Sequence, residues 1–383
     1  VKLTANETLP NSAVLNESGV GAANFSNVTI YPTVDGIKIT GNMTTPLIYL
    51  NGADNVTIDG RVNGQGNTKS LEISNKSIAP DKGNSTIKIE NDASNFTLQY
   101  CTLKGSTTST NDGIFTMGNT TITGNDQIII ANNDFTNGYN DITKAPLNAL
   151  FLQSGATGYE NDHITIDNNQ FYDIFNNSTA NNTFAVNVQS NNSYVTVSNN
   201  SIYKTTSTSP AANNSTYGIY LNSTIASNVI NNYLGGSAPR AGGTPFIDAL
   251  TSSYTNSFYA IHVLASGTIP HQVQGNVITN IDFRNYYNFY GISLAGGGTI
   301  NVGDLNPNII GSGTGNNAIL YKGNAAINNF YGIYANLSST TTNVSLIKNN
   351  SIGAISSAAT NNLYSTNILG IYVASTGTNT LKI

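Results

Sequence analysis

The chain of 383 residues has no tryptophan and a single cysteine, Cys101, so it forms no internal disulfide. Charge is scarce as well. Asp, Glu, Lys and Arg make up 9% of the residues, where about 25% is usual for a soluble domain. With 15 Lys and Arg against 20 Asp and Glu, the formal net charge is −5. Too few cations are present to neutralise a row of phosphates, which excludes a basic nucleic-acid binder. A charge-rich disordered tail is excluded too. No apolar run approaches the roughly 18 residues of a membrane-spanning helix. The first residues, Val1-Lys-Leu-Thr, lack the charged and apolar stretches of a signal peptide, which is expected to be removed or upstream.

What is abundant is asparagine, with about 60 copies, together with Ser and Thr. These are poor residues for helix interiors, and no apolar period of 3.6 is sustained. Self-similarity is the strongest signal. A small residue recurs within an apolar, β-prone pentad, as in Asp112-Gly-Ile-Phe-Thr, Asn148-Ala-Leu-Phe-Leu, Phe184-Ala-Val-Asn-Val and Tyr217-Gly-Ile-Tyr-Leu. Tyr259-Ala-Ile-His-Val, Tyr290-Gly-Ile-Ser-Leu, Tyr331-Gly-Ile-Tyr-Ala and Leu369-Gly-Ile-Tyr-Val continue it. The small residues at 113, 149, 185, 218, 260, 291, 332 and 370 are separated by steps of 31 to 42, about 37 on average.

A second pattern follows the first: apolar, any, small-polar, Asn, any, apolar. It reads Ile130-Ala-Asn-Asn-Asp-Phe, Ile166-Asp-Asn-Asn-Gln-Phe, Val197-Ser-Asn-Asn-Ser-Ile, Ile225-Ala-Ser-Asn-Val-Ile, Val273-Gln-Gly-Asn-Val-Ile and Ile347-Lys-Asn-Asn-Ser-Ile. Leu98-Gln-Tyr-Cys-Thr-Leu places Cys101 where the others have Asn. Alternating runs such as Ile164-Thr-Ile precede it, a strand signature.

Short strands joined by Asn- and Gly-rich bends cannot bury their inward side chains alone, but stacked copies can. Asn tolerates the left-handed backbone at the lowest cost after Gly. In such a stack like residues form columns, and Asn amides hydrogen-bond along them. The pattern predicts an all-β chain, a right-handed parallel β-helix forming one elongated solenoid over residues 1–383. Residues 1–60 read as irregular first coils and 61–383 as repeat coils. Residues 231–257, with Gly235-Gly-Ser-Ala-Pro-Arg-Ala-Gly-Gly-Thr-Pro, read as a projecting loop. The strand-like last residues predict that the chain continues past both ends.

Several segments together resemble one group of proteins. They are Asn51-Gly-Ala-Asp-Asn-Val-Thr-Ile-Asp-Gly-Arg-Val-Asn-Gly, Tyr100-Cys-Thr-Leu-Lys-Gly-Ser, Gly235-Gly-Ser-Ala-Pro-Arg-Ala-Gly-Gly-Thr and the recurring Asn-Phe-Tyr-Gly-Ile. In content and order they are similar to very large secreted proteins of Bacteroidetes. Those are right-handed parallel β-helices exported to the cell surface, typically through the type IX route, and most are described as repeat proteins or adhesins. The resemblance implies a secreted or cell-surface location and a structural or adhesive role. It supplies no ligand, and the usual C-terminal sorting domain is not in this sequence.

Parallel β-helices also host polysaccharide lyases and hydrolases. Val56-Thr-Ile-Asp-Gly followed by Asn63-Gly-Gln-Gly resembles a polygalacturonase stretch, but the Asn-Thr-Asp, Asp-Asp, Gly-His-Gly and Arg-Ile-Lys motifs of that family are missing. Inverting hydrolysis needs two carboxylates about 6.5–9.5 Å apart, and Asp59, Asp167, Asp173, Asp248 and Asp282 are scattered singly. Arg61 reads as closing a turn and Arg284 as a surface partner of Asp282. Arg240, in the long loop, is a candidate ligand contact. His163, His262 and His271 lack metal-ligand spacing, and His262 alternates with apolar neighbours, facing outward. Cys101 reads as a small buried apolar residue. No metal and no cofactor is expected.

Aromatics are skewed to 21 Tyr and 13 Phe. Tyr286 and Tyr287 cluster with Phe289 and Tyr290, and Tyr331 and Tyr334 recur at the equivalent rung, so stacked tyrosines along one face are candidates for gripping sugars or another protein. The expected partners are surface glycans or other proteins, with end-to-end self-association into a filament or sheath as a further possibility. A polysaccharide-active enzyme or carbohydrate-binding β-helix is the alternative. Acidic or basic residues gathered in one groove would favour it.

Overall fold

The computed structural model describes residues 1–79, 83–139, 141–175, 180–207, 213–223, 225–249, 256–315, 318–323, 327–338, 344–357, 365–375 and 380–383. Among them are forty strands, two 3₁₀ turns and no α-helix. Every third strand in sequence pairs in parallel. Val56–Asp59 joins Thr97–Gln99 and Ile128–Ala131, while Leu71–Asn75 joins Cys101–Gly105 and Asp134–Asn137. Ile87–Glu90 joins Phe115–Met117 and Asn148–Leu152. One coil thus contributes one strand to each of three sheets, of 12, 11 and 11 strands. Parallel crossovers of this kind are right-handed, and the fold is a right-handed parallel β-helix.

The chain divides into two compact units, Val1–Ile174 with Asn187–Thr196, and Phe175–Val186 with Val197–Ile383. In the first, like residues align into inner columns, Ile58–Leu98–Ile130–Ile166 and Ile73–Leu103–Phe135–Phe171. All eight are fully buried, and each such side chain contributes about 1.5–3 kcal/mol relative to exposure. Residues 1–60, read as irregular first coils, hold two three-stranded coils, with Leu15 aligned on Leu50 and Leu50 on Ile89.

In the second unit the inner columns are Leu234–Ile278–Ile310–Ile352 and Ile219–Ile261–Ile292–Ile333–Ile371. A fourth sheet appears here, of the strands Phe246–Ala249, Ile281–Tyr286, Ile319–Gly323 and Ile355–Ser357. It begins inside the segment expected to be a loop. Residues 231–257 contain the strands Tyr233–Leu234 and Phe246–Ala249, and residues 250–255 lie outside the described residues. The turn between those strands folds on itself through an antiparallel Ala238–Gly242 bridge. The Gly- and Pro-rich composition obscured a four-residue strand with only two inward side chains, Phe246 and Asp248.

The Asn-Asn signature divides its work. The first Asn turns the corner with positive φ, as at Asn132, Asn168, Asn199, Asn231 and Asn349. The second points inward and bonds to its counterparts. In the first unit the backbone N–H of Cys101 donates to Asn133 Oδ1, and Asn133 Nδ2 to Asn169 Oδ1 at 3.1 Å. In the second unit Asn200, Asn232, Asn276, Asn308 and Asn350 form a ladder, each Nδ2 donating to the next Oδ1 at 2.8–3.0 Å. Two details differ from expectation. The ladder residue after Asn200 is Asn232, not Asn228, which sits in the preceding strand. Asn308 is a rung the pattern did not include, because Pro307 stands where the other coils carry their left-handed residue.

Candidate functional site

In the second unit the third sheet has long strands, Ser215–Ser223, Ser257–Ala265, Asn288–Gly296, Ile327–Leu337 and Ser365–Val373. Their register aligns Tyr217, Tyr259, Tyr290, Tyr331 and Leu369 in one column. Three residues on, it aligns Tyr220, His262, Ser293, Tyr334 and Tyr372 in a second. Strand residues three apart ordinarily face opposite sides. Here the two residues between them, such as Gly218 and Ile219 or Ala260 and Ile261, are both buried, so both columns face outward. The extra inward position tolerates only a small residue. A Cβ on Gly291 would lie 2.6 Å from the Gly332 carbonyl oxygen, and one on Gly332 would lie 2.5 Å from that of Gly370. This is the physical content of the recurring Tyr-Gly-Ile. In the first unit the expected Gly113–Ala149 pair is out by one place, because Phe115 aligns with Leu150.

The first column is a continuous ring stack. From Phe184 through Tyr217, Tyr259 and Tyr290 to Tyr331 the centroids are 4.8, 4.6, 4.3 and 4.9 Å apart, with planes within 15° of parallel. The second column stands nearly perpendicular, at 87° for Tyr217 and Tyr220, 78° for Tyr259 and His262, and 83° for Tyr290 and Tyr334. Such edge-to-face contacts are favoured by the ring quadrupoles. Ser293 interrupts the second column, and its hydroxyl meets His262 Nδ1 at 3.0 Å. Burial lowers the His262 pKa to about 4, so the imidazole is neutral at ordinary pH. Burial likewise pushes the Tyr217 and Tyr290 phenols above their usual range. The face is therefore uncharged. It is bordered by asparagines, with Asn329 donating to Asn288 at 3.2 Å and Asn367 to Asn329 at 3.0 Å.

Of the residues singled out in the sequence, Tyr290, Tyr331 and Tyr334 join this face and His262 faces outward in it. Arg240 is exposed at the Ala238–Gly242 turn, its backbone N–H bonded to Ser201 Oγ at 3.0 Å and its guanidinium 5.9 Å from the Tyr233 ring centre. Tyr287 is 39% exposed and lies outside both columns, its carbonyl accepting the Tyr321 hydroxyl at 2.7 Å. The Tyr286 side chain is outside the described residues; its backbone pairs with Gly323. No described contact joins Arg240 to Tyr287. Sequence reasoning passed over Phe184, Tyr217, Tyr220, Tyr259 and Tyr372, although the repeat itself carried the signal.

The remaining candidates hold structural places. Arg61 grips Asp59 through Nε and Nη2 at 2.9 and 2.6 Å and covers Tyr100. Burial opposes ionisation of Asp59, but hydrogen bonds from Arg61 and Gln99 outweigh it and hold the carboxyl below its usual range. Arg284 pairs with Asp282. His163 meets Asp162 and stacks on Tyr194. His271 is buried between the Ser227 N–H and the Ser266 carbonyl. Burial raises the Cys101 thiol well above its usual range.

Stacking does gather charge in the first unit. Tyr49 donates to Glu90 at 2.5 Å, and Lys88 pairs with Glu90 at 2.8 Å. The Asp112 carboxyl nearby is raised by burial despite bonds from Ser109 and Ser85. At the first coil, an apolar cleft of about 260 Å³ is lined by residues including Leu3, Leu9, Leu15, Ile30 and Leu50. Among the described residues no group of three or more His, Cys, Asp or Glu is placed to hold a metal ion. No described helix is long and apolar enough to cross a membrane.

No protein-family model matches the chain, and neither curated proteins nor solved structures give a match.

Proposed function

We propose that the chain is a non-catalytic, secreted or cell-surface β-helix that adheres to neutral glycans or other proteins through the aromatic face of its second unit. The observation that carries this reading is two aromatic columns in register along the third sheet, without an ionised group in either. The stacked rings give most of their faces to each other. A ligand would therefore meet ring edges and phenolic hydroxyls repeated once per coil, flanked by asparagine amides. Each contact is weak, and repetition multiplies them through avidity. The likeness to large exported adhesive β-helices agrees with this role.

The test is retention on immobilised neutral polysaccharides and on purified surface proteins. The double substitution Tyr290→Ala with Tyr334→Ala should weaken retention at least about tenfold, since aromatic anchors dominate such surfaces. Circular dichroism controls for folding. Unchanged retention by the folded variant would overturn the assignment of this face.

A second reading rests on the Tyr49–Lys88–Glu90 cluster with Asp112, an arrangement that suits acid–base chemistry on a polysaccharide. Release of reducing or unsaturated sugars by the wild type, abolished in Glu90→Gln, would replace the adhesive reading with this one.

A further inference from the structure

We propose that Lys204 and Asp248 condense into an intramolecular amide bond, linking two successive coils of the second unit covalently. Lys204 directly follows the strand Ser201–Tyr203, and Asp248 lies in the strand Phe246–Ala249 of the fourth sheet. Their side chains meet in the interior, 1% and 3% exposed, with Nζ 2.9 Å from Oδ2. Every other described ion pair has at least one side chain that is 20% exposed or more. The surroundings are aromatic. Nζ lies 5.0 Å from the Phe246 ring centre and 5.9 Å from that of Phe175, and Phe283 is the strand neighbour of Asp248.

Two opposite charges taken out of water gain little net free energy from their pairing, and condensation removes both. Holding the reacting groups in contact supplies the positional advantage of an intramolecular reaction. Water is scarce around the pair, which disfavours the reverse hydrolysis. The step balances without any co-reactant. A proton crosses from the ammonium to the carboxylate along the hydrogen bond. The amine nitrogen then attacks Cγ, the C–N bond forms, and the C–O bond breaks. The departing hydroxyl takes the second nitrogen-bound proton and leaves as water. The product is a neutral secondary amide closing a loop between residues 44 apart in sequence.

Intact mass spectrometry of the full, folded chain tests this independently of the adhesive reading. The wild type is expected one water lighter than its sequence mass. A proteolytic digest should contain one branched peptide joining the segments around 204 and 248. Lys204→Met and Asp248→Ala should each appear at their own sequence mass. Asp248→Asn should still cross-link, losing ammonia in place of water, an outcome a merely structural ion pair would not give. A wild type at its full sequence mass overturns the proposal. So does water loss that maps to an Asp-Gly succinimide, such as Asp35-Gly36 or Asp59-Gly60.

Discussion

Asn276 shows what one rung of the inner ladder does. Its Oδ1 accepts from the backbone N–H and Nδ2 of Asn232, while its Nδ2 donates to Asn308 Oδ1 and to the Val229 carbonyl. The amide is saturated, so no smaller residue can replace it. Asn276→Ala should cost about 2–4 kcal/mol, because it leaves several buried donors and acceptors unpaired; chemical denaturation measures this. Two titrating residues carry predictions of opposite sign. His262 has a pKa of about 4 in the folded chain against 6.5 unfolded. Between those values only the unfolded chain takes up the proton, so acidification through this window destabilises the fold, by up to about 3 kcal/mol. His262→Tyr, which keeps an aromatic ring in the column, should flatten the loss of melting temperature between pH 7 and 4. Burial raises Asp126 from 3.8 to about 6, and its Oδ1 accepts the Asp162 N–H. Its burden is full above pH 6 and vanishes below the unfolded value. Asp126→Asn keeps that acceptor and should stabilise the protein at pH 8 by on the order of 1 kcal/mol after allowance for solvent screening, with no gain near pH 3.5.

At the scale of the strand and its corner, much was readable because each repeated letter has one cause. Asn-Asn encodes a left-handed corner followed by an inward amide, and Tyr-Gly-Ile encodes an extra inward position that only a small residue fits. The errors arose where another residue does the same job. Asn228 mimics the pattern one strand too early, and Pro307 hides the rung at Asn308. The strand Phe246–Ala249 is short, and its inward Asp248 is paired with a lysine 44 positions earlier, a contact that only stacking creates. The turn before that strand makes its own demand. Gly235 has φ +124°, and a Cβ there would stand 1.8 Å from the Thr279 carbonyl oxygen. Gly235→Ala should therefore cost at least about 3 kcal/mol, read as a lower denaturation midpoint with an unchanged slope.

For the whole molecule, the scarcity of charge becomes a property of its contacts. On the proposed reading, a face built from phenols, amides and a neutral imidazole would hold its partner without counterion release. Retention on a neutral glycan should change less than about twofold between 50 and 500 mM salt, where a charged surface would be strongly screened. The fold was legible because stacked coils must repeat. The aromatic face was only half legible, because sequence shows which residues recur but not which side of a strand an extra inward residue turns them to. The charged group around Glu90 was not legible at all. Its members are at positions 49, 88, 90 and 112, and nothing local relates them.

The asparagine spine has one more consequence, in time rather than in strength. Primary amides neither gain nor lose protons over the pH range in which proteins live, so the column itself is indifferent to acid and base. But they hydrolyse slowly. One deamidated rung would replace two donors by an anion facing carbonyl oxygens, deep inside and without a counterion. The molecule's working life would then be set by the chemical ageing of its most exposed rung.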